Sequence, residues 1–127
     1  LMKRTVTIVA VTEDMILSTR IAKLCNDSDD ELIFSSFDNL VQTCNNIEHG
    51  IALIQLDSIF LDMPEYMNEI SKINHMTIIG YMVDFDNDLR KKAIDSGFEI
   101  VFPLSGIIQN LTVIIQKVKL SLNDGIK

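Results

Sequence analysis

Side chains that could carry chemistry stand in two short polar stretches, each at the end of an apolar run. Thr12, Glu13 and Asp14 follow residues 4–11, whereas Gln55 and Asp57 lie where residues 51–56 end. Carboxylates that share one crevice repel each other, and a hard divalent cation such as Mg²⁺ relieves that repulsion. Glu13 and Asp14 also suit the start of a helix, where the helix dipole favours negative charge. These residue types leave two interpretations open, a cation site and helix capping.

The familiar catalytic and cofactor motifs are absent from the sequence. It contains no GxGxxG, GxxxxGK[ST] or GxSxG pattern, so the phosphate cradle and the nucleophile elbow of the corresponding enzymes are missing. His49 and His75 each precede an apolar run and are predicted to be solvated loop residues at the opposite end of the sheet. We therefore do not expect this protein to be an enzyme.

Composition and charge limit the classes of partner. The chain has 127 residues, of which 47% are hydrophobic and 23% charged, as is ordinary for one globular domain. Its 11 basic and 18 acidic residues give a net charge of -7, which argues against a nucleic-acid surface. No apolar run approaches the roughly 20 residues of a membrane span. Cys25 and Cys44 are far apart and are predicted to be reduced core thiols, so we expect a cytoplasmic protein.

Short apolar runs alternate with helical patterns along the whole chain. The predicted strands cover residues 4–11, 32–34, 51–56, 76–83 and 99–102. The predicted helices cover residues 15–26, 40–47, 67–73, 89–94 and 107–121. In the first helix, one apolar stripe is predicted to hold Ile16, Leu17, Ile21, Leu24 and Cys25. This alternation predicts an α/β protein, a three-layer α/β/α sandwich around a five-stranded parallel sheet.

The predicted sheet places the polar stretches together. In open α/β sheets the functional crevice lies beyond the carboxyl ends of the strands. With the strand order 2-1-3-4-5, the ends of the first and third strands line that crevice, and these ends carry Glu13, Asp14, Gln55 and Asp57. The domain is predicted to span residues 4–121, and residues 122–127 are predicted to form a polar tail or the start of a linker.

The chain resembles the receiver domain of response regulators over residues 4–121. The order of elements, the acidic turn after the first strand, the buried third strand and the segment SGFEIVF carry this resemblance. It implies a flavodoxin-like fold and a part in signal transduction within a two-component system or phosphorelay. Receivers of this family use an acidic pair that holds Mg²⁺, a phospho-accepting Asp, a Thr or Ser after the fourth strand and a Lys after the fifth.

Residue by residue, the chain departs from that pattern. The phospho-accepting position falls on Gln55, the hydroxyl position on Met82 and the lysine position on Leu104. The acidic pair corresponds to either Thr12-Glu13 or Glu13-Asp14, and in the first register one carboxylate is missing. No Lys or Arg occurs between Lys92 and Lys117, so the fifth strand and its turn supply no cation. The resemblance therefore indicates a degenerate receiver that acts through protein–protein interaction without phosphorylation and without a cofactor.

Two alternatives remain. If the third strand shifts by two residues, side-chain parity is preserved and Asp57 becomes the strand-terminal carboxylate. Asp57 would then be the phospho-accepting residue, and Glu13, Asp14 and Asp57 would hold Mg²⁺. The weaker alternative is a flavodoxin-like domain that binds a small ligand in the same crevice.

The resemblance also implies an interaction face. In the family this face is commonly built from the fourth helix, the fifth strand and the fifth helix, which here are residues 89–94, 99–102 and 107–121. The side chains predicted to form it are Leu89, Val101, Phe102, Val113 and Leu120. The expected occupant is a protein partner, an output domain or a second copy of the chain, with no nucleic acid and no membrane.

Overall fold

The computed structural model describes residues 5–57, 68–70, 72, 73 and 75–124. The strands are β1 (Thr7–Val11), β2 (Glu31–Phe34), β3 (Gly50–Gln55), β4 (Thr77–Met82) and β5 (Ile100–Pro103). The helices are α1 (Met15–Ser28), α2 (Phe37–Asn45), α3 (Asn87–Asp95) and α4 (Ile107–Asp124), with a 3-10 turn at Leu104–Gly106. Residues 68–70 are also helical, whereas Met67 of the predicted weaker helix lies outside the described residues.

All five strands are parallel and lie in the order β2-β1-β3-β4-β5, which confirms the predicted fold class. Two cores cover the two faces of the sheet. Helices α1 and α4 pack on one face, and α2 and α3 pack on the other. Strand β3 lies at the centre, and all six of its residues are buried, because helices cover both faces of it. None of the described helices is both long and apolar enough to cross a membrane.

Local signals set the helix boundaries near the carboxyl ends of the strands. Asp14 caps α1 by accepting a bond from the Leu17 amide at 2.8 Å, and Asp86 caps α3 through two amides. Gly97 follows α3 with a φ of 116°, a backbone conformation that residues with a Cβ rarely adopt. Helix α4 runs to Asp124 rather than ending at residue 121, so residues 122–124 of the predicted tail are helical. Residues 125–127 lie outside the described residues.

Several sequence expectations about burial are wrong. Ile16 is 70% exposed, because the buried stripe of α1 follows Leu17 and Ile21 at intervals of four residues. Leu89 and Val101 of the predicted interaction face are 9% and 5% exposed, since both side chains point into the core beside α2. Because buried side chains cannot contact a partner, Leu89 and Val101 are not part of an interaction face.

Candidate functional site

The ends of the central strands bring two predicted site residues and one unpredicted residue together. Val11, the last residue of β1, pairs with Ile54 of β3, and Gln55 pairs with Tyr81 of β4. Thr12 follows β1 directly. The side chains of Thr12, Gln55 and Tyr81 therefore meet at the carboxyl edge, where the strand order places the crevice.

These three side chains form one hydrogen-bonded network. The Tyr81 hydroxyl donates to Oε1 of Gln55 at 3.0 Å, and the same Oε1 accepts the backbone N–H of Glu13 at 3.0 Å. A tyrosine hydroxyl has a single proton, so the Thr12 hydroxyl is the donor in its bond to Tyr81. Thr12 Oγ1 in turn accepts the N–H of Asp14 at 3.1 Å. The network ties the ends of β1, β3 and β4 together.

The network is held in its neutral form by burial. Tyr81 is fully buried, and the desolvation raises the pKa of its phenol to about 12. The hydrogen bond from Thr12 lowers this pKa, whereas the negative charges of Asp14, Asp57 and Glu13 raise it further. Gln55 is also buried, with only 9% of its surface exposed. The side chains of Tyr81 and Gln55 in the crevice are therefore uncharged and hydrogen-bonded to each other.

The carboxylates of the predicted cation site have other roles. Asp14 is the cap of α1, and the Glu13 side chain is exposed. Oδ2 of Asp57 accepts the N–H of Asp84 at 2.7 Å, while its buried Oδ1 has no hydrogen-bond partner. In the part of the chain that the structure describes, no three acidic, His or Cys side chains come close enough to hold a metal ion.

The remaining predicted residues lie outside the crevice network. Met82 is buried in the core beside α2 and α3, where its sulfur accepts the N–H of Asp86 at 3.4 Å. Leu104 lies in the 3-10 turn and packs against the core beside α1 and α4. With Leu104 packed there and no Lys or Arg between residues 92 and 117, β5 and its turn contribute no positive charge to the crevice.

Sequence reasoning missed Tyr81 as a site residue. It stands next to Met82, to which the family pattern assigns the hydroxyl position. Side chains alternate along a strand, so Tyr81 shares a face with Ile79 and lies beside Gln55 across the β3–β4 pair. The two-residue period of the strand and the polar hydroxyl in an otherwise apolar run were the available signals.

Comparisons with known proteins place the fold. No family model and no curated protein match the chain. The signal receiver domain of an HD domain-containing protein from Pseudomonas fluorescens is 18% identical with a TM-score of 0.77, over 95% of this chain and 99% of that chain. A beryllofluoride-activated receiver domain dimer is 8% identical with a TM-score of 0.74, over 91% and 97%.

A third similar structure comes from a complex. The receiver domain of a response regulator of Saccharomyces cerevisiae, crystallised with a histidine phosphotransfer signalling protein, is 12% identical with a TM-score of 0.68. The alignment covers 90% of this chain and 86% of that chain. These identities are low and the coverage nearly complete, so what is shared is the architecture. The chain has the fold of response-regulator receiver domains.

Proposed function

We propose that this protein is a receiver-like signalling module that acts through protein–protein interaction without being phosphorylated. The observation that carries this proposal is the position of Gln55. Its carboxamide ends β3 and is engaged by the Glu13 amide and the Tyr81 hydroxyl. A carboxamide has no carboxylate oxygen to attack phosphorus, so Gln55 cannot form an acyl phosphate.

The electrostatics of the carboxyl edge support the same conclusion. A phosphoryl group carries nearly two negative charges and needs paired cations or aimed donors. The ionisable groups that act on Tyr81 at this edge are Glu13, Asp14 and Asp57, all of them acids. Since Leu104 replaces the lysine of the family, a phosphoryl group here would meet repulsion from neighbouring carboxylates. Neither phosphorylation nor a Mg²⁺ cofactor is part of the proposed function, and we propose no enzymatic activity.

The rival function is phosphorylation of Asp57. One specific observation favours it, namely the buried Oδ1 of Asp57 that has no hydrogen-bond partner. Against it, Asp57 stands two residues beyond the end of β3 and its other oxygen is bonded to the Asp84 amide. Binding of a small ligand in the crevice is disfavoured, because the polar side chains of Thr12, Tyr81 and Gln55 are already hydrogen-bonded to one another.

The surface that we propose for the partner is the face of α3, β5 and α4. Val113 and Leu120 are 53% and 62% exposed there, and Phe102 is half-buried. A groove of about 420 Å³ separates the edge strand β5 from α4, and Ile100 and Val113 lie on its opposite walls. Edge strands need a cover or a partner. The similar receiver structures that form a dimer or a complex with a phosphotransfer protein support a protein partner for this chain.

Intact-mass analysis after treatment with acetyl phosphate and Mg²⁺ tests the proposal. We expect no gain of mass, while an ordinary receiver domain treated in parallel gains one phosphoryl group. The matched variants are Asp57→Asn and Gln55→Asp. A hydroxylamine-labile phosphoryl group on the unaltered chain that disappears in Asp57→Asn would replace the proposal by its rival. If Gln55→Asp gains a phosphoryl group and the unaltered chain does not, the carboxamide of Gln55 is what prevents phosphorylation.

A further inference from the structure

Strand β2 is an edge of the sheet, and its outer side is open. Among the residues that the structure describes, only β1 pairs with it. The N–H groups of Glu31 and Ser35 donate to carbonyls of the segment that contains β1, at 3.1 and 2.9 Å. Backbone groups of successive strand residues point to opposite sides, so the N–H and C=O groups of Leu32 and Phe34 point away from β1. The open side of β2 therefore presents two donors and two acceptors.

This edge lacks the usual protection. Natural edge strands are commonly guarded by Lys, Pro or a bulge, or are covered by a helix. Residues 31–34 contain no Lys or Pro, and their register with β1 is continuous. The side chain of Phe34 is 52% exposed on one face. On the other face, a cavity of about 600 Å³ is lined by Ile33 of β2 and Thr43 of α2, so this helix does not close over the strand.

We propose that β2 pairs with β2 of a second copy in antiparallel orientation, with the two-fold axis at Ile33. In this register Leu32 lies opposite Phe34 of the second copy, and the two residues exchange both of their backbone hydrogen bonds. The symmetry repeats this pair on the other side of the axis. The resulting four hydrogen bonds use every open donor and acceptor of both strands, and the two sheets join into one.

The side chains fit the same register. Leu32 and Phe34 share one face of the strand, and Leu32 packs partly against the core beside α1 and α4. The exposed ring of Phe34 therefore packs against Leu32 of the second copy. Ile33 points to the other face and lies opposite Ile33 of the second copy, with the two Cα atoms about 4.5 Å apart. Aromatic and β-branched residues are the ones whose cross-strand pairs stabilise antiparallel strands.

The charges beside β2 do not oppose the pairing directly. Glu31 lies opposite Ser35 of the second copy, so no two like charges face each other across the strands. The fully buried carboxylate of Asp30 accepts Lys119 of its own chain at 3.1 Å, and Asp29 lies outside the paired segment. The net charge of -7 on each chain repels over a longer range. Salt screens that repulsion, so we expect the dimer to become tighter as the ionic strength rises.

The size of the contact sets its strength. Stable dimers bury about 1,200–2,000 Å² in total, more than two strands of four residues supply. We therefore expect a weak dimer, with a dissociation constant of about 0.1–1 mM. A second copy fits this edge because one short sequence supplies the opposite donors, acceptors and side chains on both sides of the axis.

This interaction goes beyond the proposed function, because it uses a second surface. Strands β2 and β5 are opposite edges of the sheet. When two chains pair through β2, their two α3–β5–α4 faces lie at the outer ends of the joined sheet and stay free. The dimer thus presents two copies of the proposed partner face, and a partner with two binding segments gains affinity without any new contact.

Sedimentation velocity of the unaltered chain from about 10 μM to about 1 mM tests for the dimer. Because Ile33 meets itself on the axis, Ile33→Lys and Ile33→Glu each bring two like charges together. We expect either variant alone to weaken the dimer at least about tenfold. An equimolar mixture of the two variants should restore it, because Lys then lies opposite Glu. Restoration in the mixture excludes unfolding as the cause of the loss.

A matched control and a second measurement separate this edge from the other one. Ile100→Lys changes an isoleucine of β5 that is 39% exposed, and it should leave the dissociation constant within about twofold. Amide hydrogen exchange of the unaltered chain needs no substitution. The N–H groups of Leu32 and Phe34 should exchange more slowly at about 1 mM than at about 10 μM protein, whereas the N–H of Ile100 should not change.

Three results would overturn the proposal. A monomer throughout the concentration range excludes the pairing. A dimer that Ile100→Lys abolishes and Ile33→Lys preserves uses the α3–β5–α4 face instead. A mixture of the two Ile33 variants that stays monomeric excludes antiparallel pairing centred on this residue. Each of these results leaves the separate question of phosphorylation to the mass analysis described above.

Discussion

Replacing Tyr81 by Phe removes one hydroxyl from the centre of the hydrogen-bonded network at the carboxyl ends of β1, β3 and β4. The ring stays in place, so the substitution keeps the packing of a fully buried side chain. What is lost is the bond that Tyr81 donates to Gln55 and the bond that it accepts from Thr12. Gln55 Oε1 keeps the amide of Glu13, but the Thr12 hydroxyl is left as a donor without its acceptor.

The expected cost follows from these two bonds. A buried hydrogen bond contributes about 1 kcal/mol net, and an unsatisfied donor costs about 1–3 kcal/mol. Because Thr12 is only partly buried and can turn towards water, we expect Tyr81→Phe to lower the free energy of unfolding by about 2 kcal/mol. For a domain of this size that corresponds to a fall in Tm of about 8 °C.

Urea unfolding at pH 7 measures this change, and a matched variant calibrates it. Thr112→Val removes an exposed hydroxyl that donates to a carbonyl of its own helix, Ile108 O at 3.1 Å. We expect that variant to change the free energy of unfolding by less than about 0.5 kcal/mol. A double-mutant cycle of Tyr81→Phe with Gln55→Met should give a coupling of about 1 kcal/mol. A cost below 0.5 kcal/mol for Tyr81→Phe, or no coupling, would refute the proposed network.

Tyr81→Phe should also change how the free energy of unfolding depends on pH. In the folded protein the pKa of Tyr81 is raised to about 12 from an ordinary value of 10.0. The unfolded chain therefore releases this proton at lower pH than the folded chain. The stability linked to Tyr81 is complete below pH 10 and is lost as the pH rises to 12, by about 3 kcal/mol in total. Tyr81→Phe lacks this titration, so its stability should fall less steeply than that of the unaltered chain in this window.

Two further substitutions test the partner surface and the packing of α4. If the α3–β5–α4 face binds a partner or a second copy, Val113→Glu should abolish that association in size-exclusion and pull-down measurements. The control Thr19→Glu on α1 should leave the association unchanged. Unchanged association of a folded Val113→Glu chain would show that the interface lies on another surface. Lys119 pairs at 3.1 Å with Asp30, whose side chain is fully buried, so Lys119→Met should lower the free energy of unfolding by about 3 kcal/mol. Lys23→Met is the control, because Lys23 forms an exposed salt bridge with Asp27. We expect it to change the free energy of unfolding by less than about 0.5 kcal/mol in the same urea titration.

The sequence alone was sufficient for the architecture. Runs such as residues 51–56 are apolar at every position except Gln55. Only a strand covered on both faces accommodates such a run, and these runs alternate with helical stripes. Parallel strands joined by helices then leave few topologies, and the order β2-β1-β3-β4-β5 is one of them. The absence of a lysine near β5 was also visible, because a missing residue type does not depend on register.

The candidate site could be placed from the sequence only in part. Strand ends locate the crevice, so Thr12 and Gln55 were found. Tyr81 was not found, because its partners Gln55 and Thr12 are 26 and 69 residues away in the chain. Such contacts depend on which residues face each other across strands, and a period of two residues does not determine the pairing register.

Burial and the roles of individual acids were likewise decided by the tertiary structure. The sequence predicted Ile16 on the apolar stripe of the first helix and Leu89 on the interaction face, yet Ile16 is exposed at the carboxyl edge and Leu89 lies in the core. Asp14, and Asp57 in the alternative register, were candidates for a cation site. In the structure Asp14 accepts the capping hydrogen bond of α1, and Asp57 accepts the Asp84 amide. Residue type and local period determine which element forms, whereas the direction of each side chain depends on neighbours that the chain brings near only when it folds.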